Sequence, residues 1–151
     1  MALQALAKRR RLAQTSRFGP VPPDDMALVR AFLKDDAFMI TGPLQWNALG
    51  LGSTALFSAT LVYNSKRSGE FRLAGRRFLF RRVRFPKKPP AEWFVIDLLE
   101  NHEMAGVAIS ALEEPLRRAV RAGRFDRGRL REMAATYGSQ PTQAFVARCP
   151  P

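Results

Sequence analysis

The chain has 151 residues, with 25 Lys and Arg against 13 Asp and Glu, a net charge of +12, one Cys and one His. That length bounds it to one domain, or one domain with a small appendage, and 46% hydrophobic residues with 11 Phe exclude wholesale disorder. The lone Cys149 excludes an intramolecular disulfide framework and any Cys-based zinc module and fits a reducing, cytoplasmic compartment, while no apolar run approaches the ~18 residues that span a bilayer.

In chain order, Ala2 to Leu12 reads as a short helix, with Leu3, Leu6 and Ala7 on one side and cations in its last turn. Thr15 to Pro23 reads as a linker or turn by its Gly and Pro content. Asp24-Asp25 is expected to cap a helix running to about Leu33, whose apolar face is Met26, Val29 and Leu33, widened by Leu28 and Phe32. Phe38 to Thr41 reads as a buried strand stopped by Gly42-Pro43, followed by a helical turn at Leu44 to Leu49 and a loop through Thr54. Three antiparallel strands are expected next: Leu61 to Tyr63, Glu70 to Ala74, and, after a tight return at Gly75, Arg77 to Phe85.

Pro86 to Pro90 breaks the sheet, and the rest reads as helix. Glu92 to Asn101 is apolar nearly all round, as a central core helix would be. Ser110 and Glu113 suggest a capping box for a helix ending near Gly123, although Pro115 argues against that start. Asp126 is placed to cap another helix, with Leu130, Met133, Ala134 and Tyr137 on one stripe and Gly138 as its stop. Pro141 to Cys149 is a last short helix. The fold expected is α+β: a small antiparallel β-meander packed with helices, its C-terminal part all helical.

The charge is segmental. Residues 1–17 carry +5, 66–88 carry +9 and 117–151 carry +6, while 18–41 carry −2 and 89–116 carry −6. Arginine supplies most of the excess, and its planar guanidinium forks onto phosphates and carboxylates as lysine cannot. Lys8, Arg9, Arg10 and Arg11 read either as phosphate or groove contacts or as a solvated terminus. The acid-free stretch 1–23 also has the composition of a mitochondrial presequence, against which the bacterial-looking body argues.

Within 66–88 the candidate nucleic-acid contacts are Lys66, Arg67, Arg72, Arg76, Arg81, Arg82 and Arg84. Regular alternation would set Arg82 and Arg84 on the face of Phe78 and Phe80, with Arg81 opposite beside Leu79, Val83 and Phe85. Such faces lay guanidiniums along a phosphate backbone beside rings that stack on bases. The alternative is that these arginines pair with the acids of 89–116. The arginines from Arg117 to Arg131 read as a solvated helical face or a further binding surface.

Catalytic and metal-binding patterns fail individually. His102-Glu103 begins a zinc-protease motif, but Gly106 stands where the second His belongs, and the chain has no other His. The pairs Asp24-Asp25, Asp35-Asp36 and Glu113-Glu114 suit caps and solvated faces better than acid–base work. Ser53 has no base partner in view. Gly50-x-Gly52-x-x-Ala55 nominally fits a dinucleotide fingerprint, but the stretch before it reads as helix where a strand is required. A non-enzymatic protein without cofactor or metal is expected.

Trp46-Asn47-Ala48-Leu49-Gly50-Leu51-Gly52-Ser53-Thr54 leads into Leu61-Val62-Tyr63-Asn64-Ser65-Lys66-Arg67-Ser68-Gly69. Phe71, Leu73-Ala74-Gly75-Arg76, Phe78, Phe80-Arg81 and Phe85-Pro86-Lys87-Lys88 follow, and later the helix with Asp97-Leu98-Leu99. This order resembles bacterial AbiEi-type antitoxins, the antitoxin and autorepressor half of type IV (abortive-infection) toxin–antitoxin pairs, over roughly Arg17 to the C-terminus. The resemblance implies an N-terminal winged helix-turn-helix that binds operator DNA. It also implies an α/β part that acts against a nucleotidyltransferase-like toxin without forming a stable complex with it.

On that basis residues 1–22 are expected to be a remnant of the winged helix-turn-helix (its recognition helix) and a linker, and 23–151 the antitoxin domain. The helices that should precede Ala2 to Leu12 and the wing after it are not recognisable, so a truncated DNA-reading unit is expected, with sequence-specific DNA binding reduced or lost. The other readings of the chain are a general nucleic-acid-binding module using the 66–88 sheet face and a basic protein-interaction domain.

Overall fold

The structure is a computed structural model that describes residues 23–53 and 59–149. The expected Ala2 to Leu12 helix, most of the linker after it and the whole 1–22 unit lie outside the described residues. So do Lys8, Arg9, Arg10 and Arg11.

Helix α1 is Pro23–Leu33. Proline suits this first turn, where its missing N–H is not needed. Asp25 does not cap the helix as expected. It lies inside the first turn, and its carboxylate meets the Arg76 guanidinium at 2.6 Å and the Thr60 hydroxyl at 3.5 Å. The side chain of Asp24 is outside the described residues.

Four strands form one sheet: β1 Phe38–Thr41, β2 Ala59–Asn64, β3 Gly69–Leu73 and β4 Arg76–Arg82, in the order β1-β2-β4-β3. The α+β class holds, but the sheet is mixed and not an antiparallel meander. β3 and β4 form a hairpin whose two turn residues, Ala74 and Gly75, both have positive φ (53° and 78°), matching the twist of the flanking strands. β4 then lies parallel to β2, with Leu61 opposite Leu79 and Asn64 opposite Arg82. Burial explains this order. Phe78 and Phe80 of β4 are fully buried and need a strand on either side, whereas Gly69, Glu70 and Arg72 of β3 are exposed and suit an edge. β4 also stops at Arg82, short of the expected Phe85.

Alternation along the strands gives the sheet two covered faces. Val62, Phe78 and Phe80 pack under Val29 and Leu33 of α1, with Phe32, Ile40, Phe71 and Leu73 around them. Met39, Leu61 and Tyr63 face the larger core of helices. Those helices are α2 Pro43–Ala48, α3 Ala91–Glu100, α4 Glu113–Arg121, α5 Arg127–Tyr137 and α6 Gln140–Ala147.

α3 is the hub, with every residue from Glu92 to Leu99 buried. Its carboxylates hold other elements in place. Glu92 accepts the Asp126 N–H at 2.8 Å, and Glu100 accepts the Ser139 N–H at 3.1 Å and the Ser139 hydroxyl at 2.7 Å. Asp126 caps α5 by accepting from the amides of Gly128 and Arg129, as expected. No capping box forms at Ser110. A 3-10 turn, Ile109–Leu112, occupies that stretch, and α4 begins at Glu113 so that Pro115 falls in its first turn. Gly138 stops α5 without adopting a left-handed backbone (φ −91°). A Cβ there would sit 2.8 Å from the Ala134 carbonyl oxygen, so close approach is what requires glycine.

Candidate nucleic-acid interface

The parallel strands β2 and β4 end side by side, and the loops leaving them are tied together. Asn64, fully buried at the end of β2, accepts the backbone N–H groups of Lys66 (2.8 Å) and Arg67 (2.7 Å) and donates to the Arg67 carbonyl (3.0 Å). An asparagine bonding the backbone two residues ahead is a turn-former, so the Ser65 to Ser68 loop is fixed locally. The Ser68 hydroxyl then accepts the Arg82 N–H at 3.1 Å.

Between these loops and the end of α5 lies a cleft of about 720 Å³, lined by Asn64, Ser65, Ser68, Arg82, Val83, Arg84, Phe85 and Tyr137. Arg82 and Arg84 are exposed, and their side chains have no hydrogen-bond or ion-pair partner among the described residues.

A smaller hollow of about 220 Å³ shares Val83, Arg84 and Tyr137 with the cleft and reaches inward to Trp93, Ile96 and Asn101. One wall is Arg81, which donates to the Asn101 side-chain oxygen at 2.8 Å. Behind it stands a buried knot centred on Asp97. One oxygen accepts from the Thr41 hydroxyl (2.6 Å) and the Trp46 indole N–H (2.8 Å), the other from the Tyr63 hydroxyl (2.5 Å) and the Asn101 amide (3.2 Å). Burial pushes the Asp97 carboxyl up, against the downward pull of the Thr41, Tyr63 and Trp46 hydrogen bonds and the Arg81 charge. Burial also pushes the Tyr63 hydroxyl up, and the neighbouring Asp97 charge adds to it. The four donors satisfy what would otherwise be an expensive buried acid.

The candidate contacts of 66–88 do not form one surface. Lys66 donates to the Leu33 carbonyl at 3.0 Å and lies 3.6 Å from Asp35, and Arg67 covers the Phe32 ring at 4.9 Å. Arg72 donates to the Gly75 carbonyl at 3.4 Å, and Arg76 is ion-paired with Asp25. Arg72 and Arg76 sit at the hairpin end of β4, roughly 20 Å from Arg82 at strand rise. Only Arg82 and Arg84 line the open cleft, with Arg81 turned inward beside them. Arg84 lies beyond the strand, so the strand alternation that places Arg82 does not extend to it.

Five of the six acids of 89–116 are engaged within the helical layer, and the sixth, Glu103, is exposed. Glu92 and Glu100 hold α5 and α6, Asp97 is the centre of the knot, and Glu113 and Glu114 pair with Arg117 at 3.2 and 3.3 Å. The third basic cluster is partly structural as well, since Arg124 donates to the Leu49 carbonyl and Arg117 to that of Arg148.

Tyr137 and Asn64 belong to the cleft and were not legible as such. Tyr137 reads as one more residue of an apolar stripe, and Asn64 as an ordinary turn residue. The Gly50-x-Gly52 stretch follows helix α2, so the strand of a dinucleotide fingerprint is missing there. Among the described residues no group of three or more His, Cys, Asp or Glu could hold a metal ion, and no helix is long and apolar enough to cross a membrane. Comparison with protein-family models, with curated proteins and with solved structures finds no match.

Proposed function

We propose that this chain is a non-enzymatic, cytoplasmic antitoxin of the AbiEi type that contacts nucleic acid, with the cleft at the ends of β2 and β4 as its phosphate-contacting surface. One observation carries the nucleic-acid part: Arg82 and Arg84 are exposed at a single cleft, with no acidic partner among the described residues. Guanidiniums so placed make forked contacts to phosphate oxygens. The antitoxin part rests on the resemblance, whose residues form a connected unit: Trp46 and Tyr63 from the resembling stretch meet Asp97 of the resembling helix in the buried knot. Operator DNA and a nucleotidyltransferase-like toxin are the partners this reading implies, the toxin as a functional partner without a stable complex.

Titration of labelled duplex DNA at two salt concentrations tests the surface. Each phosphate neutralised contributes about −0.9 to the log–log slope, so Arg82→Ala with Arg84→Ala should flatten it by up to about 1.8. An unchanged slope and affinity would remove this cleft from the interface. Co-expression with a nucleotidyltransferase-like toxin encoded beside the gene tests the biological role, and failure to restore growth would overturn it.

A further inference from the structure

We infer that the cleft accepts single-stranded nucleic acid, with one base seated in the inner hollow and the adjoining phosphates on Arg82 and Arg84. This rests on the nucleic-acid reading above and goes beyond it in naming the form of the ligand. The two hollows join at Val83, Arg84 and Tyr137. A strand lying in the outer one is therefore continuous with whatever enters the inner one. The outer hollow is walled by serine hydroxyls and the two guanidiniums of Arg82 and Arg84, suited to a backbone. In the inner one Trp93, Ile96 and Tyr137 suit a flat ring, beside the carboxylates of Asp97 and Glu100, which accept hydrogen bonds from Tyr63 and Ser139.

Its volume of about 220 Å³ is below the ~300–1,000 Å³ of pockets that take drug-sized ligands. A single planar ring system is the scale that remains. Arg81 adds a polar reason for a base. The half-buried guanidinium gives one N–H to Asn101, and its other donors have no partner among the described residues. A guanidinium carries five N–H donors, and base edges carry the acceptors to meet them.

Two half-buried rings, Phe85 and Tyr137, stand beside the exposed guanidiniums. A cationic groove with aromatic platforms is how single strands are held with little regard to sequence, because every base has a π face. A duplex can offer its phosphates to Arg82 and Arg84, but its bases are stacked and paired. It would have to extrude one to fill the inner hollow.

Fluorescence anisotropy of the full chain with labelled oligo-dT, oligo-U and a mixed-sequence DNA duplex, at fixed salt, tests this. Both single strands should bind at least about tenfold tighter than the duplex, and any difference between them reports contact with the 2′-hydroxyl. Tyr137→Leu should lose roughly fivefold or more for the single strands, with little change for the duplex, while Tyr137→Phe retains binding. Tyr137 also packs against the core, so Val83→Glu provides a second variant. Val83 is 42% exposed where the hollows join, and a carboxylate there should abolish single-strand binding without disturbing the fold. Equal affinity for single strand and duplex, or full binding by Val83→Glu, overturns the inference and leaves the nucleic-acid reading standing. Absence of binding to every probe overturns both.

Discussion

Strand β4 carries an arginine pair near each end, and the two pairs meet different surroundings. At the hairpin end Arg76 reaches Asp25 and Arg77 reaches Glu70, each at 2.6 Å. At the other end Arg81 binds the neutral amide of Asn101, and the Arg82 side chain has no partner among the described residues. The residue types are the same, so the difference lies in where the acids stand. α1 and β3 supply carboxylates to the first end. The carboxylates of α3, the helix nearest the second, turn inward or hold α5 and α6. A count of basic residues therefore says little about binding until the acids are placed.

The most severe way to break this arrangement is to remove the inward-facing acid. Asp97→Ala leaves the Trp46 N–H and the hydroxyls of Thr41 and Tyr63 buried without their acceptor. It should cost about 3 kcal/mol or more in urea-unfolding stability. Next, Arg76→Ala removes the ion-pair partner of the nearly buried carboxylate of Asp25, leaving it the weaker hydrogen bond from Thr60. Breaking a fully buried pair costs about 3–5 kcal/mol. Arg76 is 45% exposed, so water compensates in part and about 2 kcal/mol is expected. Its affinity for nucleic acid should stay close to that of the wild type.

A smaller effect separates Asp97 from the acids of the paired end by pH. Burial raises the Asp97 carboxyl in the folded state, so the folded chain holds this proton more tightly than the unfolded chain. Its contribution to stability falls as pH climbs from the ordinary 3.8 through the raised folded value, and is constant above it. Glu70, lowered by its hydrogen bond from Arg77, has the opposite sign: its contribution is present above 4.5 and lost as pH falls. Unfolding midpoints measured against pH should show the first component disappear in Asp97→Asn and the second in Glu70→Gln. The smallest change in stability belongs to the open end. Arg82→Ala with Arg84→Ala should move the unfolding free energy by no more than about 0.5 kcal/mol per site, while the same variant loses nucleic-acid affinity.

Much of this was legible locally. Continuous apolarity marked α3, Asp126 marked the start of α5, and the Gly75 return marked the β3–β4 hairpin, because each is set by neighbours in sequence. The insertion of β4 between β2 and β3 was not, since it depends on which strand has two faces and two edges to bury. Asp97 carried a signal of its own, an acid inside an apolar run, but its donors come from Thr41, Trp46 and Tyr63, far away in sequence. The candidate site was legible as arginines but not as a place. What reduced the seven candidates of 66–88 to the pair at the cleft was the position of Asp25, Asp35 and other partners that no local pattern reveals.

The indole proton of Trp46 is held by Asp97 inside a residue with no exposed surface. Its acceptor belongs to α3, and the same carboxylate grips the end of β1 through Thr41 and of β2 through Tyr63. Fraying of β1 or β2 does not by itself break this bond. Exchange of that proton with solvent requires α2 to part from α3, so its rate reports the opening of that contact.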